Sequence, residues 1–394
     1  MSWPRQRLKA LAADEPYSFV GGPFGSKLTS RDYVDEGIPV IRGSNLNCGR
    51  FLSMDDYVFV SEEKVRKDLS SNLAKTNDLV FTQRGTLGQV TLIPEDGIAD
   101  RYVVSQSQMK LTVDERKADR LFLYYYFSSR EAVERILSFT SSSGVPHINL
   151  TVLRNFEVPV PPLSTQRRIA SILSAYDDLI ENNQRRIQLL EQAALLLYKE
   201  WFVHLRFPGH ESTRITNGVP ERWESSSLGK LVEIKKGKNI TREMTEPGTV
   251  PVVAGGLEPA YFHSTANAKG PVVTISASGA NAGYVNIYFQ DVWASDCSFI
   301  SAEWTNDVYY YFYLLKYRQQ ELFALHKGTA QPHVYPKDLQ RLGIISPPAR
   351  LPRYFADNVG PSFALIAKLV AQNRQIRAAR DLLLPHLMSG EIAV

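Results

Sequence analysis

One sentence pattern occurs twice in this chain, 186 positions apart, and it dictates the architecture. Gly144-Val-Pro-His147-Ile-Asn, Leu153 and Pro161-Pro162 recur as Gly328-Thr-Ala-Gln-Pro-His333-Val-Tyr, Leu339 and Pro347-Pro348 with no change of register from His to Pro-Pro. Each Pro-Pro pair opens a helical pattern, Thr165 to about Phe202 and Leu351 to about Met388. A solenoid repeats every 20–50 residues or so. A period this long instead implies two whole domains, each followed by its own helix, and hence two related surfaces suited to a target with two parts.

The helical patterns are themselves specific. Ile169, Leu173, Tyr176, Ile180, Asn183, Ile187, Leu190, Ala194, Leu197 and Trp201 step by four and three in alternation, the seam of a coiled coil. Ile366, Leu369, Asn373, Ile376, Arg380, Leu383 and Leu387 keep the same alternation. Gly360-Pro361 is expected to break or kink the second helix. Two seams of this length predict a mutual pair, with Asn183 and Asn373 as register-fixing polar positions. The alternative is two amphipathic helices, each packed on its own domain.

The regions between read as mixed α/β. Strand-like runs set off by glycine turns are Pro39–Asn45, Asp78–Thr82 and Gln89–Ile93, then Val250–Gly255, Pro271–Ser276 and Gly283–Ile287. Phe81-Thr-Gln-Arg-Gly85-Thr-Leu-Gly88 aligns with Ile275-Ser-Ala-Ser-Gly279-Ala-Asn-Ala-Gly283 as strand and glycine-bounded turn. Leu123-Tyr-Tyr-Tyr-Phe127 and Val308-Tyr-Tyr-Tyr-Phe-Tyr313 predict one aromatic helix per domain. Those rings either pack on the sheet or stack on bases. The predicted segments are domain 1 over 1–162, a spacer helix over 163–207, domain 2 over 208–348 and a second spacer helix over 349–394.

Charge excludes little. Residues 1–160 hold 20 Lys and Arg against 20 Asp and Glu, and residues 211–345 hold 13 against 13. Any nucleic-acid face must arise from local clusters such as Lys235-Lys236-Gly-Lys238. The two cysteines, Cys48 and Cys297, lie in different halves, and nothing before Met1-Ser-Trp-Pro-Arg reads as a secretory signal, so the cytoplasm is the expected compartment. No apolar run reaches the roughly 18–20 residues of a membrane span.

Enzyme motifs fail individually. Gly21-Gly-Pro-Phe-Gly-Ser26-Lys27 lacks the Gly-Lys-Ser/Thr order of a phosphate loop. The Pro-Pro pairs follow Val160 and Ser346 and so do not form the Asp/Asn-Pro-Pro-aromatic element of an amino-methyltransferase. Glu233-Ile-Lys235 has no aspartate at nuclease spacing before it, and the seven histidines do not cluster as metal ligands. No catalytic or metal-binding residue is expected. His147 and His333 recur at one position of the repeat, with Ser143, Asn149, Thr329, Gln331 and Tyr335 beside them. Either they tie the last loop to the helix, or they are presented to base edges and phosphates.

Taken together, these residues resemble the DNA specificity subunit of type I restriction-modification systems, over nearly the whole chain. The resemblance rests on Gly-Pro-Phe-Gly-Ser26, Gly37-Ile-Pro-Val-Ile-Arg42-Gly and Thr82-Gln-Arg-Gly-Thr-Leu-Gly88 in the first domain. In the second it rests on Thr274–Tyr284, Ala294-Ser-Asp-Cys-Ser-Phe299 and Gly328–Tyr335. It implies two target-recognition domains that each read half of a bipartite site in double-stranded DNA, and an antiparallel helix pair that sets the gap. It implies that the helices dock two modification subunits carrying S-adenosylmethionine. Restriction subunits that use ATP and magnesium join for cleavage, and this chain binds no cofactor. By position, Lys27, Arg42, Ser44, Asn45, Arg84, Thr86 and His147 are the candidates for the first half-site. Lys236, Lys238, Ser276, Ser278, Asn281, Gln331, His333 and Lys337 are those for the second. Because these loops differ, the target is expected to be asymmetric. An orphan or modification-only subunit and a coiled-coil scaffold that binds no DNA are the alternatives.

Overall fold

The computed structural model describes residues 3–46, 49–140, 145–325 and 332–394. Two compact units divide the chain, residues 1–182 with 372–394, and residues 183–371. The four consecutive segments expected from the sequence are therefore not the compact units, since each long helix is shared between the two. The reason lies in the helices' burial: each half covers its apolar stripe on the α/β fold beside it.

In the first unit, Phe19–Gly21, Gln108–Leu111, Leu79–Thr82 and Val90–Leu92 form an antiparallel sheet in that order. A five-stranded sheet runs Tyr33–Val34, Val58–Val60, Ile38–Ile41, Arg101–Val104 and Leu73–Lys75, with Ile38–Ile41 parallel to Arg101–Val104. The second unit repeats the plan. Lys235–Lys236, Cys297–Ser301, Val272–Ser276 and Val285–Tyr288 form the antiparallel sheet. Val250–Val253 runs parallel to Trp293–Ala294 in a three-stranded sheet closed by Tyr261–His263. The apolar runs that alternate with glycine turns become short, doubly covered strands, which is why they read as continuous rather than alternating.

The aromatic helices are Arg120–Ser128 and Val308–Tyr317, and their rings belong to the cores. Asp119 caps the first by accepting the Phe122 N–H at 2.9 Å. Residues Phe122 to Phe127 and Tyr310 to Leu315 are buried, so stacking on bases is not open to them. This resolves the alternative left by the sequence in favour of packing.

The central helix spans Leu163–Tyr198 and continues in a wider π turn over Lys199–Val203. The C-terminal helix spans Arg350–Ser389. Gly360-Pro361 does not break it, which excludes one of the two outcomes expected there. Pro361 lies on the exposed face, as does Asp357, whose carbonyl loses its helical donor and is left to water. In the first unit Ile169, Leu173 and Ile180 are buried and Tyr176 half-buried, and Leu173 shares a core with Leu384, Leu387 and Met388. Ile376 and Leu383 are half-buried there. In the second unit Ile187 and Leu190 pack half-buried against a core holding Tyr198, Trp201, Phe355, Phe363 and Ile366. Leu369 and Asn183 are buried. The early part of one helix thus meets the late part of the other within each unit, an antiparallel arrangement. Asn373 donates its amide to the Ile180 carbonyl at 3.3 Å, the polar register contact that its seam position predicted.

Candidate nucleic-acid interface

The repeated sequence features meet at one place in each unit. In the first, the Gly85 N–H donates to the Pro146 carbonyl at 3.1 Å and the Ile148 N–H donates to the Gln83 carbonyl at 3.0 Å. These two bonds bring Arg84 and His147 opposite one another as an isolated antiparallel bridge. In the second, Gly279 N–H to Pro332 O at 3.2 Å and Val334 N–H to Ala277 O at 2.9 Å do the same for Ser278 and His333. The Pro-His loop therefore clamps the glycine-bounded turn by identical backbone bonding in both units. Gly85 and Gly279 take φ of +98° and +78°, which only glycine adopts without strain. Their side chains are the variable part: arginine in one unit, serine in the other.

A third backbone segment supports each clamp. The Ser107 carbonyl accepts the Gln83 N–H at 2.7 Å, and the Asp296 carbonyl accepts the Ala277 N–H at 3.1 Å. The turn that follows the first strand of each antiparallel sheet packs on the same segment. A Cβ on Gly22 would lie 1.8 Å from the Ser105 carbonyl, and one on Gly237 would lie 2.1 Å from that of Ser295. Glycine is obligatory at both positions, and it places Lys27 and Lys238 on loops beside the clamp.

The predicted contact residues separate into two sets. Lys27, Ser44, Arg84, Thr86 and His147 are exposed in the first unit, as are Lys236, Lys238 and Lys337 in the second. Arg42 is half-buried and lines a cleft of about 300 Å³ with Tyr33, Ser105 and Gln106, its Nη2 donating to the Asp56 carbonyl at 2.7 Å. Asn281 is half-buried and donates to the Gly255 carbonyl at 3.3 Å. His333 is half-buried and lies parallel to the Tyr335 ring at 5.9 Å between centroids. Gln331 lies outside the described residues.

Two expectations need correction. Asn45 is fully buried; its Oδ1 accepts the Arg42 N–H at 2.8 Å and its amide donates to the Asp55 carbonyl at 3.0 Å. It shapes the loop and has no free edge for a base. Ser276 is also buried, with its hydroxyl donating to the Gly255 carbonyl at 3.2 Å. An Asn after Gly-Ser reads equally well from sequence as a loop cap or a base reader, and only burial separates them.

Sequence reasoning also missed residues. Gln106 donates its amide to the Gly25 carbonyl and so ties the Lys27 turn to the clamp. Asp296 accepts the Ser278 hydroxyl. Arg50, buried, reaches Asp178 at 2.6 Å and Glu181 at 2.9 Å on the central helix. None of these side chains recurs at a matching position of the repeat, although the Asp296 carbonyl stands where the Ser107 carbonyl does. Burial works against the charge of Arg50, and the two carboxylates more than offset it, holding its guanidinium protonated. Beside it, Asp177 accepts the Tyr125 hydroxyl at 2.6 Å and pairs with Arg380. Burial, then this bond to Asp177, raises the Tyr125 phenol above its ordinary value.

Arg380 is therefore a structural cation. Arg380→Met would leave the Asp177 carboxylate, 4% exposed, with only the Tyr125 hydroxyl. Removing one partner of a buried pair costs about 3–5 kcal/mol; because Arg380 keeps some solvent contact, about 2–3 kcal/mol is expected from urea denaturation. A change below about 0.5 kcal/mol would mean that Asp177 is rehydrated at no cost.

Comparison with known proteins places these features in context. Residues 25–192 and 220–350 match the type I restriction modification DNA specificity domain, so the match falls on both units. The type I restriction enzyme MjaIX specificity subunit of Methanocaldococcus jannaschii is 26% identical over 86% of this chain and 84% of its own. A putative type I specificity subunit of Mycoplasma pneumoniae is 28% identical over 64% of this chain and 66% of its own. Among solved structures, the S subunit of a type I restriction-modification system from M. genitalium superposes with a TM-score of 0.57. It is 17% identical and covers 98% of this chain and 96% of that one, a likeness of fold.

Proposed function

This chain belongs to the type I restriction modification DNA specificity domain family, and we propose on that premise that it is the sequence-reading subunit of a type I complex. Each unit reads one half of an asymmetric bipartite site in double-stranded DNA. The observation that carries the reading is the duplicated clamp: one backbone scaffold presents Arg84 and His147 in one unit, Ser278 and His333 in the other. An invariant scaffold with different side chains suits two readers of different base sequences, since phosphate contacts position a protein and base contacts specify the site. Lys27, Lys236, Lys238 and Lys337 supply the phosphate contacts, and Arg42, Thr86 and Asn281 flank the readers. In this proposal the helices fix the gap and dock two modification subunits, which hold S-adenosylmethionine and methylate adenine. Restriction subunits with ATP and magnesium supply cleavage, and this chain contributes no catalytic group. We place the complex in the cytoplasm.

The test is methylation mapping of DNA from cells that express this chain with its modification subunit, against the modification subunit alone. Adenine methylation that requires this chain, at two unlike half-sites with a fixed gap, is the expected result. A folded complex that leaves DNA unmethylated and binds it without salt dependence would overturn the reading in favour of a scaffold. Arg84→Ala gives a sharper result in the same assay. Its side chain is exposed, so stability should hardly change, whereas loss of a base contact worth about 1–3 kcal/mol lowers affinity roughly 10- to 100-fold. The first half-site should relax at one position, and the second should stay as it was.

A further inference from the structure

Asp296 stands on the second unit's clamp itself. Its carbonyl accepts the Ala277 N–H at 3.1 Å, and its carboxylate accepts the Ser278 hydroxyl, one residue further along the same turn. Ser278 is in turn bridged to His333. Asp296 is half-buried, and among the described residues no cation pairs with its carboxylate. In the first unit the equivalent carbonyl belongs to Ser107, which bonds the Gln83 N–H at 2.7 Å and carries no charge.

A carboxylate beside a DNA backbone is repelled by the phosphates, so its presence weakens binding unless it accepts hydrogen bonds from the DNA. Only the exocyclic amino groups of bases can donate them, and in the major groove those are cytosine N4 and adenine N6. Ser278 occupies one carboxylate oxygen and leaves lone pairs on the other, with the orientation fixed by a turn that is itself clamped. A side chain held in this way has little entropy to lose on contact.

We propose that Asp296 is a specificity-determining residue of the second unit, accepting a hydrogen bond from the amino group of cytosine or adenine at one position of its half-site, with Ser278 as its positioning residue. This rests on the reading of the chain as a DNA-recognising subunit.

The experiment is methylation mapping with the modification subunit co-expressed, comparing the wild-type chain with Asp296→Ala, Asp296→Glu and Ser278→Ala. The wild-type motif should contain a cytosine or adenine at one position of the second half-site that all three variants relax. The preference for that base should fall at least about 10-fold, the size of one lost base contact. The first half-site and the gap should not change. If Asp296→Ala or Asp296→Glu gives an assembled complex whose motif is unchanged, the proposal is overturned. It is equally overturned if the change falls in the first half-site. Should Asp296→Ala fail to assemble, Asp296→Glu decides, because it keeps the charge and shifts only the position of the carboxylate. A wild-type chain that directs no methylation at all would instead sink the underlying functional reading.

Discussion

Phe363→Ala is expected to destabilise the second unit by about 3–5 kcal/mol. The ring is fully buried and lies face to face with Tyr309, 4.2 Å between centroids at 2°. It also meets Phe312 edge-on at 6.2 Å and Tyr313 at 5.9 Å. No neighbouring backbone is free to collapse into the space, because the helix that carries Phe363 is fixed by Phe355, Val359 and Ile366 in the same core. The cost should therefore fall toward the upper end for a lost aromatic, a large share of the 5–15 kcal/mol or so that a domain possesses. Urea unfolding followed by tryptophan fluorescence reads it selectively. Four of the five tryptophans, Trp201, Trp223, Trp293 and Trp304, lie in the second unit. A loss below about 1 kcal/mol would mean that the core repacks and that Phe363 does not anchor the helix.

Phe363 also shows where the sequence is legible and where it is not. The repeat, the strand runs and both helices are written in periodicity, and the structure has them. Phe363 itself is off the four-three seam that begins at Ile366, so periodicity alone undervalues it; its partner is an aromatic helix some 50 residues away. The same limit governs the candidate interface. The Pro-His loop and the glycine turn are both conspicuous in sequence, but nothing local says that Pro146 and Gly85 bond, or Pro332 and Gly279. Long-range backbone pairing is invisible to composition. Asn45 and Ser276 were misread because a polar residue beside glycine can either cap a loop or face outward, and the choice is made by the strands packed above it. Asp296 lay inside the Ala294–Phe299 stretch without being singled out, and Arg50 went unseen, because the charge of each is used in one unit only and a repeat exposes only what is shared. The continuity of the helix across Gly360-Pro361 depended on which face the proline took.

Adding four residues to each long helix, between Asn182 and Asn183 and between Ala371 and Gln372, is expected to lengthen the gap between half-sites while leaving both half-site sequences intact. The insertion points are the divisions between the compact units, so each unit keeps its own core contacts. Both helices pass through those divisions without interruption. Four residues add about 6 Å at about 1.5 Å each and turn the helix about 40° beyond a full circle. One base pair advances DNA about 3.4 Å and, at 10–10.5 per turn, rotates it roughly 34°. Rotation therefore asks for one additional base pair and translation for nearly two, so the methylated motif should move to a gap longer by one or two. Insertion in one helix alone leaves its partner unmatched across the seam, and the prediction there is a weakened complex rather than a new gap. An unchanged gap in the doubly extended chain, with methylation intact, would show that something other than these helices sets the distance. Loss of one half-site with the other retained would show that the insertion had damaged a recognition unit, which urea unfolding of the same protein would register as a lowered midpoint.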